Sequence, residues 1–343
     1  MKNPHHLLLI RFSALGDVAI LVPVIRCLYQ TYPGLTITFL GRPFTKSLFR
    51  EFENFNFHPV DFGEKHKGIK GLWRLFKELK NIPFSGIADL HSVLRTHLLS
   101  LLFKLTFFKV KKIDKGRREK RLLTRSSNKK FQPLTPTIYR YTDVFRKLGF
   151  PVELDSHEFS FKREFPKSIL THFEVKNKKW IGIAPFASFE GKMYPLDQMQ
   201  QVIASLEKEF QIFLFGAGAI EKERLEVWER SYENVYSTAG RVSFEDQLDL
   251  MPHLDLMISM DSANGHLAAN YGTPVLTLWG LTHPFCGFSP FNQPAANALL
   301  LDRKKYPKIP TSVFGNKIPK GYEEAFRSLT PLTVIEKTLE IIN

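Results

Sequence analysis

Four side chains stand where a strand gives way to a helix and have the chemistry to act there: Asp17, Lys192, Asp261 and His266. Asp17 follows the apolar run Leu7–Ile10 and the turn Ser13, Ala14, Leu15, Gly16. A carboxylate in that place is either a helix-start acid stabilised by the macrodipole or a general base that takes a proton from a hydroxyl. Lys192 lies in APFASFEGKMYP, after an expected strand Trp180–Ala184, with Ser188 just before it. It reads either as a solvated loop cation or as the charge that neutralises a departing diphosphate. Asp261, Ser262, Ala263, Asn264 and Gly265 form a polar turn of small residues between an expected strand Leu254–Met260 and an expected helix His266–Tyr271. Such a turn leaves unpaired N–H groups in front of the helix's positive end, an anion site for which phosphate is the usual ligand. Taken singly, Asp261 is an N-cap and His266 a helix-face histidine; together in one anion-binding turn they are poorly explained by packing. Glu221 follows Gly216 and Gly218 in FGAGAIEKE. That is a fragment of a dinucleotide fingerprint, and Glu221 reads either as a ribose ligand or as a first-turn acid.

The elements that must position these residues alternate strand and helix. His6–Phe12 and Leu35–Leu40 flank a helix whose apolar face is Val18, Leu21, Val22, Ile25, Leu28 and Tyr29, stopped by Pro33-Gly34. Alternation of this kind favours a parallel sheet covered by helices on both faces. It continues through Phe57–Phe62, Ile69–Leu79, Gly86–Leu90, Val93–Phe103, Lys109–Ile113 and Thr137–Leu148, the last ended by Gly149. A second series restarts at Trp180 and runs through Leu196–Phe210, Ile212–Phe215, Glu221–Ser231 and Phe244–Met251 to Val275–Trp279. The expected strands are continuous apolar runs, as in sheets buried on both faces. The chain is therefore expected to be α/β: two Rossmann-like parallel-sheet domains facing a cleft, with ligands at the carboxyl ends of the strands. The expected divisions are a first domain over 1–160, a second over 161–325, and a terminal helix in 326–343 returning to the first domain.

At 343 residues the chain has the length of two domains, and 43% hydrophobic residues suffice for two cores. No stretch is long and apolar enough to span a bilayer, and Leu7–Ile10 is too short for the core of a signal peptide. Cys27 and Cys286 match no metal spacing and read as reduced thiols of a cytosolic protein. A formal charge of +14 implies an anionic partner. Much of it sits in Lys104–Lys130, where twelve Lys and Arg face two acids. Lys111, Lys112, Lys115, Arg117, Arg118, Lys120 and Arg121 are the candidate contacts for an anionic acceptor or lipid headgroups, against the plain reading of a solvated loop.

With these residues in place, the chain resembles the bacterial heptosyltransferases, glycosyltransferase family nine, whose fold is the two-Rossmann arrangement called GT-B. The resemblance rests on IRFSALGDVAILVPVIRCL, SFEGKMYP and MDSANGHLAANYGTPVLTLWGLTHP. The segments ADLHSVLRTHLL, IDKGRREKRLLTR and TSVFGNK are similar to a Bacteroidetes-type branch. The resemblance implies Asp17 as catalytic base, Lys192 with Ser188 on donor phosphate, and Glu221 on donor ribose. It implies Asp261, Ser262, Asn264, Gly265 and His266 on the diphosphate and donor sugar, with 1–160 as the acceptor-binding domain and 161–325 as the nucleotide-sugar-binding domain. Ala263 stands where the family has glycine, and its methyl group fits only with a negative φ.

The expected function is that of an inverting glycosyltransferase moving a heptose from ADP-heptose to the inner core of lipopolysaccharide or lipooligosaccharide. No tightly bound metal and no further cofactor is expected. The expected place is cytoplasmic, at the inner face of the inner membrane. The nearest rival is a same-fold transferase with another nucleotide sugar or acceptor. A nicotinamide oxidoreductase would need a full glycine fingerprint after the first strand, which SALGDVA lacks. A nucleic-acid-binding protein would account for the charge but not for the residues at the strand ends.

Overall fold

The computed structural model describes residues 5–159 and 165–343. The first half runs β1 (His6–Ile10), α1 (Leu15–Ala19), α2 (Leu21–Thr31), β2 (Thr36–Gly41), β3 (Phe55–Pro59), α3 (Gly68–Leu79), β4 (Gly86–Asp89), α4 (Leu94–Leu105) and β5 (Val110–Lys112). Three helices follow: α5 (Arg117–Thr124), α6 (Thr137–Leu148) and α7 (Lys167–His172). The second half runs β6 (Trp180–Ala184), α8 (Leu196–Leu206), β7 (Gln211–Leu214), α9 (Ala219–Ser231), β8 (Val235–Ser237) and α10 (Phe244–Leu250). It closes with β9 (Leu256–Met260), α11 (Ala263–Ala269), β10 (Val275–Trp279), β11 (Ala298–Leu300) and α12 (Pro331–Ile342).

The chain divides into two compact units. One is the stretch up to Gly116 with Thr135–Glu158; the other is Arg117–Leu134 with Phe159–Asn343. The expected boundary between 160 and 161 lies outside the described residues. Each unit is built on a wholly parallel sheet, ordered β3-β2-β1-β4-β5 in the first and β11-β10-β9-β6-β7-β8 in the second. The strand order reverses between β1 and β4 in the first sheet and between β6 and β9 in the second. A parallel α/β sheet opens its ligand crevice at such a point, beyond the carboxyl ends of the strands. Pairing of Ile10 with Asp89, and of Ala184 with Ser259, brings the relevant strand ends level.

The apolar runs form the core as expected. Leu8, Ile10, Leu40, Ile87 and Leu99 are fully buried in the first unit, and Ile181, Ile183, Ile212, Ile258 and Leu276 in the second. Several boundaries depart from the sequence reading. α1 begins at Leu15, so Asp17 lies in the first helical turn rather than in the loop before it. α11 begins at Ala263 rather than His266, which shortens the polar turn to Asp261 and Ser262.

Two larger assignments also change. Arg117–Leu134, expected in the first domain, belongs to the second unit. Leu123 and Leu134 pack there with Cys286, and the Lys129 ammonium donates to the carbonyls of Leu123, Lys308 and Pro310 at 2.8, 3.0 and 2.7 Å. The terminal helix, expected to return to the first domain, instead packs against α8 and β9 of the second unit, with Val334 fully buried in that core. Lys179 ties its end by donating to the Ile342 carbonyl.

Candidate active site

In the first unit, Asp17 is placed by Arg11 and Tyr141. Arg11 follows β1, and its side chain is 6% exposed. A guanidinium buried that deeply needs acceptors. It finds the Leu90 carbonyl, at the end of β4, and Asp17 Oδ2, 2.6 Å away. The Arg11 guanidinium also lies 5.7 Å from the centre of the Tyr141 ring, whose hydroxyl donates to the Asp17 carbonyl at 3.1 Å. The Ala14 N–H approaches the same Oδ2 at 3.4 Å. Among the described residues, both polar contacts of this carboxylate thus fall on Oδ2, leaving Oδ1 to accept a proton.

His91 stands beside this pair, at the carboxyl end of β4. Its ring nitrogens lie 3.4 Å from Phe12 N and from Ser13 Oγ. Burial, and then the positive charge of Arg11, hold its pKa down to about 3, so the imidazole is neutral at physiological pH. Below it, buried Asp89 accepts from the N–H groups of His91 and Ser92 and fixes the bend after β4. Arg11, His91 and Tyr141 were not singled out from the sequence. The signal for Arg11 was present: a charge directly after Leu-Leu-Leu-Ile must be buried, and the next acid is Asp17.

In the second unit, Lys192 and Asp261 come together across the reversal point. Lys192 enters from the loop after β6 and Asp261 from the end of β9. Lys192 Nζ lies 2.8 Å from Asp261 Oδ2 and 3.2 Å from the Asp261 carbonyl. Thr282, beyond β10, donates to the same Oδ2 at 2.8 Å. The carboxylate therefore fixes the lysine, and Thr282 fixes the carboxylate. Lys192 is also braced from behind. Leu281 N–H donates to the Gly191 carbonyl, and Thr311 N–H to the Leu281 carbonyl. A methyl group on Gly315 would sit 2.5 Å from Lys192 Cγ, and one on Gly191 would sit 2.4 Å from the Gly315 carbonyl oxygen. The segment around Gly315 thus forms the wall behind Lys192, a role not read from the sequence.

The other expected residues occupy several environments. Ser262 Oγ lies 3.2 Å from Ser259 Oγ at the foot of α11. Asn264 is half-buried; Gly265 and His266 are buried in the same helix. Ala263 is its first residue and is not among those with positive φ, so its methyl group meets the condition for replacing glycine. Ser188 is exposed on the loop leading to Lys192. Glu221 Oε2 accepts from Ala217 N–H at 2.7 Å and closes the loop before α9. The basic residues divide between units: Lys111, Lys112 and Lys115 in the first, Arg117, Arg118, Lys120 and Arg121 on α5 in the second. Among the described residues, no group of three or more His, Cys, Asp or Glu side chains is gathered as a metal site would require.

Comparison with known proteins bears on the family and the fold. The family model "Glycosyltransferase family 9 (heptosyltransferase)" matches residues 72–317. The chain is 26% identical to the lipopolysaccharide core heptosyltransferase OpsX of Haemophilus influenzae over 82% of its own length and 81% of the relative's. It is 25% identical to lipopolysaccharide heptosyltransferase 3 of Escherichia coli, covering 86% and 87% of the two chains. Among solved structures, the family 9 glycosyl transferase of Veillonella parvula superposes with a TM-score of 0.75 at 16% identity, covering 100% of this chain and 98% of that one. E. coli heptosyltransferase WaaC with ADP gives 0.69 at 16% identity, covering 98% and 99%. These two show the shared GT-B fold. With the family model spanning well over half of the chain, the protein belongs to glycosyltransferase family 9, the heptosyltransferases.

Proposed function

We propose that the chain is an inverting glycosyltransferase that moves a heptose from ADP-heptose onto the inner core of lipopolysaccharide or lipooligosaccharide. Curated relatives named as lipopolysaccharide core heptosyltransferases support the acceptor class. A structural neighbour solved with an ADP-2-deoxy-2-fluoro heptose supports the donor class. The observation that carries the reading is the Lys192–Asp261–Thr282 cluster at the reversal point of the second sheet.

In this reading Asp17 Oδ1 takes the proton of the acceptor hydroxyl as that oxygen attacks the anomeric carbon. The bond from the anomeric carbon to the diphosphate breaks, configuration inverts, and ADP departs with the negative charge. Lys192, held by Asp261 through one face of its ammonium, turns its remaining donor capacity to the diphosphate. Backbone N–H groups over Ala263–His266, at the start of α11, add fixed positive dipole. This charge belongs to the chain, so the proposal requires no tightly bound metal. Ser188 and Glu221 are assigned to donor phosphate and ribose, Glu221 exchanging its contact with Ala217 for a hydroxyl. The basic residues of β5 and α5 are assigned to the anionic acceptor and membrane surface. The enzyme would then work at the cytoplasmic face of the inner membrane.

The test is transfer from ADP-heptose to a heptose-free core glycolipid, followed by mass spectrometry. Asp17→Asn should lower kcat by about 10² to 10⁴ while ADP-heptose affinity is kept. Transfer by that variant at near wild-type rate would remove Asp17 as the base. Thermal-shift measurements with ADP, GDP and UDP test the donor; a larger shift with GDP or UDP would overturn ADP-heptose.

A further inference from the structure

α4 is apolar on two opposite faces. Leu99 and Phe103 turn inward and are fully buried with Leu75 and Phe76 of α3. Leu94, Leu98, Leu101 and Leu105 recur at helical spacing on the far side and are exposed, three of them by more than half: 75%, 53% and 67% for Leu94, Leu101 and Leu105. A second apolar stripe, on the side away from the core, is an unusual thing for a helix to leave in water. α3 packs beside it and presents Ile69 and Trp73 to solvent. α4 then closes at Phe107, which is 98% exposed and holds a φ of 66°. That left-handed turn, in which Phe107 and Phe108 N–H groups bond back to Lys104 and Phe103, is one where glycine carries less strain. An aromatic side chain held there in full contact with water serves neither the turn nor the core.

The exposed charge on the outer faces of the two helices is positive. Lys70, Arg74, Lys77, Arg95 and Lys104 are exposed on the two helices. The acids of the region are Glu78, paired with Lys65 and His58, buried Asp89, and Asp61 and Glu64 in the loop before α3, where the Asp61 carboxylate accepts from the Gly63, Glu64 and Lys65 N–H groups. The Lys77 ammonium lies 5.7 Å from the centre of the Trp73 ring. Apolar side chains bordered by cations and an interfacial Trp are the chemistry of a bilayer surface rich in anionic headgroups. A second copy of the chain would instead bring like charges together. We infer that the outer face of α3 and α4, continued by Phe107, docks on an anionic lipid bilayer. The leucines, Ile69, Trp73 and Phe107 reach the acyl boundary while the lysines and arginines remain among the headgroups.

This names the face behind the membrane placement proposed above and rests on that placement, but not on the sugar transferred. The test uses the purified full chain and sedimentation with vesicles of phosphatidylethanolamine and phosphatidylglycerol, against phosphatidylcholine alone. The triple variant Leu94→Gln, Leu101→Gln, Leu105→Gln keeps good helix formers and should lose at least about tenfold in partition to the anionic vesicles. Phe107→Gly should also weaken partition, with a thermal midpoint equal to or above the parent's. Equal binding by the triple variant and the parent overturns the assignment to this face while leaving membrane placement standing. Absence of vesicle binding by the parent overturns both. A parent dimer that the triple variant dissolves, with no vesicle binding, assigns the face to a second copy. Loss of vesicle binding in the triple variant supports the inference even if no heptose is moved.

Discussion

Asp17 and Asp261 are both carboxylates at strand ends, and their neighbours give them different duties. Arg11 takes Oδ2 of Asp17 and orients the group, with Oδ1 open. Asp261 Oδ2 is engaged twice, by Lys192 and by Thr282, and a carboxylate so occupied acts by holding the lysine. Lys192→Ala should then weaken ADP binding by about tenfold to a hundredfold, the range for a lost charge-assisted contact; unchanged affinity by calorimetry would take Lys192 out of the donor site. Thr282→Val keeps the shape and removes one neutral donor. It should cost about 0.5–1.5 kcal/mol in ADP binding, since Lys192 still holds Asp261. A loss as large as that of Lys192→Ala would mean that Thr282 touches the donor itself. Asp17, Lys192 and Asp261 were legible because each follows an apolar strand. Thr282 was not, because its partner is set by the pairing of β9 with β10 rather than by any local spacing.

At the scale of elements, the strands and most helices followed from apolar periodicity; Thr137–Leu148 and Trp180–Ala184 begin and end where the pattern predicts. The departures occur where a charged sequence folds on tertiary contacts. α5 reads RREKRLLT and shows no apolar face beyond Leu122 and Leu123, yet Leu123 is fully buried and Lys129 bonds three carbonyls nearby. The segment carrying Gly315 likewise shows no periodicity, and its role comes from lying against Lys192. Two glycines of this segment test that role. Gly315, with φ 73°, and Gly321, with φ 84°, share the left-handed conformation, but a methyl group on Gly321 would meet nothing within 4 Å. Both alanine variants should lose about 1–2 kcal/mol of stability from backbone strain. Only Gly315→Ala should also weaken ADP binding, by displacing the Lys192 stem. Equal ADP affinity in the two variants would free the wall of any part in donor binding.

For the molecule as a whole, the positive charge and the burial of neutral histidines set how stability answers pH. His91 and His157 in the first unit, and His283 in the second, have pKa values lowered from 6.5 to about 3, 4 and 4. Burial is the main cause in each, with Arg11, Arg26 and Arg303 respectively adding to it. Above pH 6.5 these rings are neutral folded and unfolded, and they contribute no pH dependence. As pH falls below 6.5 the unfolded chain takes up protons that the folded chain refuses, so stability drops until pH reaches the folded values near 4 and 3. Carboxylates with lowered values, such as Asp143 beside Lys147 and Arg146, act the same way only below their ordinary value of 3.8. Across the window from about pH 7 to about pH 5 the fall comes from the histidines, while the Glu229 carboxyl, which burial raises above its ordinary 4.5, acts with the opposite sign at the acid end. Thermal midpoints should fall across it, and His91→Gln, which keeps an acceptor near Phe12 N–H, should flatten the slope of the first unit's transition. His157, with His6 and His66, whose values burial also lowers, keeps part of the slope in the first unit, and His283 keeps part in the second. A parent midpoint that stays level between about pH 7 and about pH 5, or an unchanged slope in His91→Gln, would show that His91 is protonated as readily in the fold as outside it.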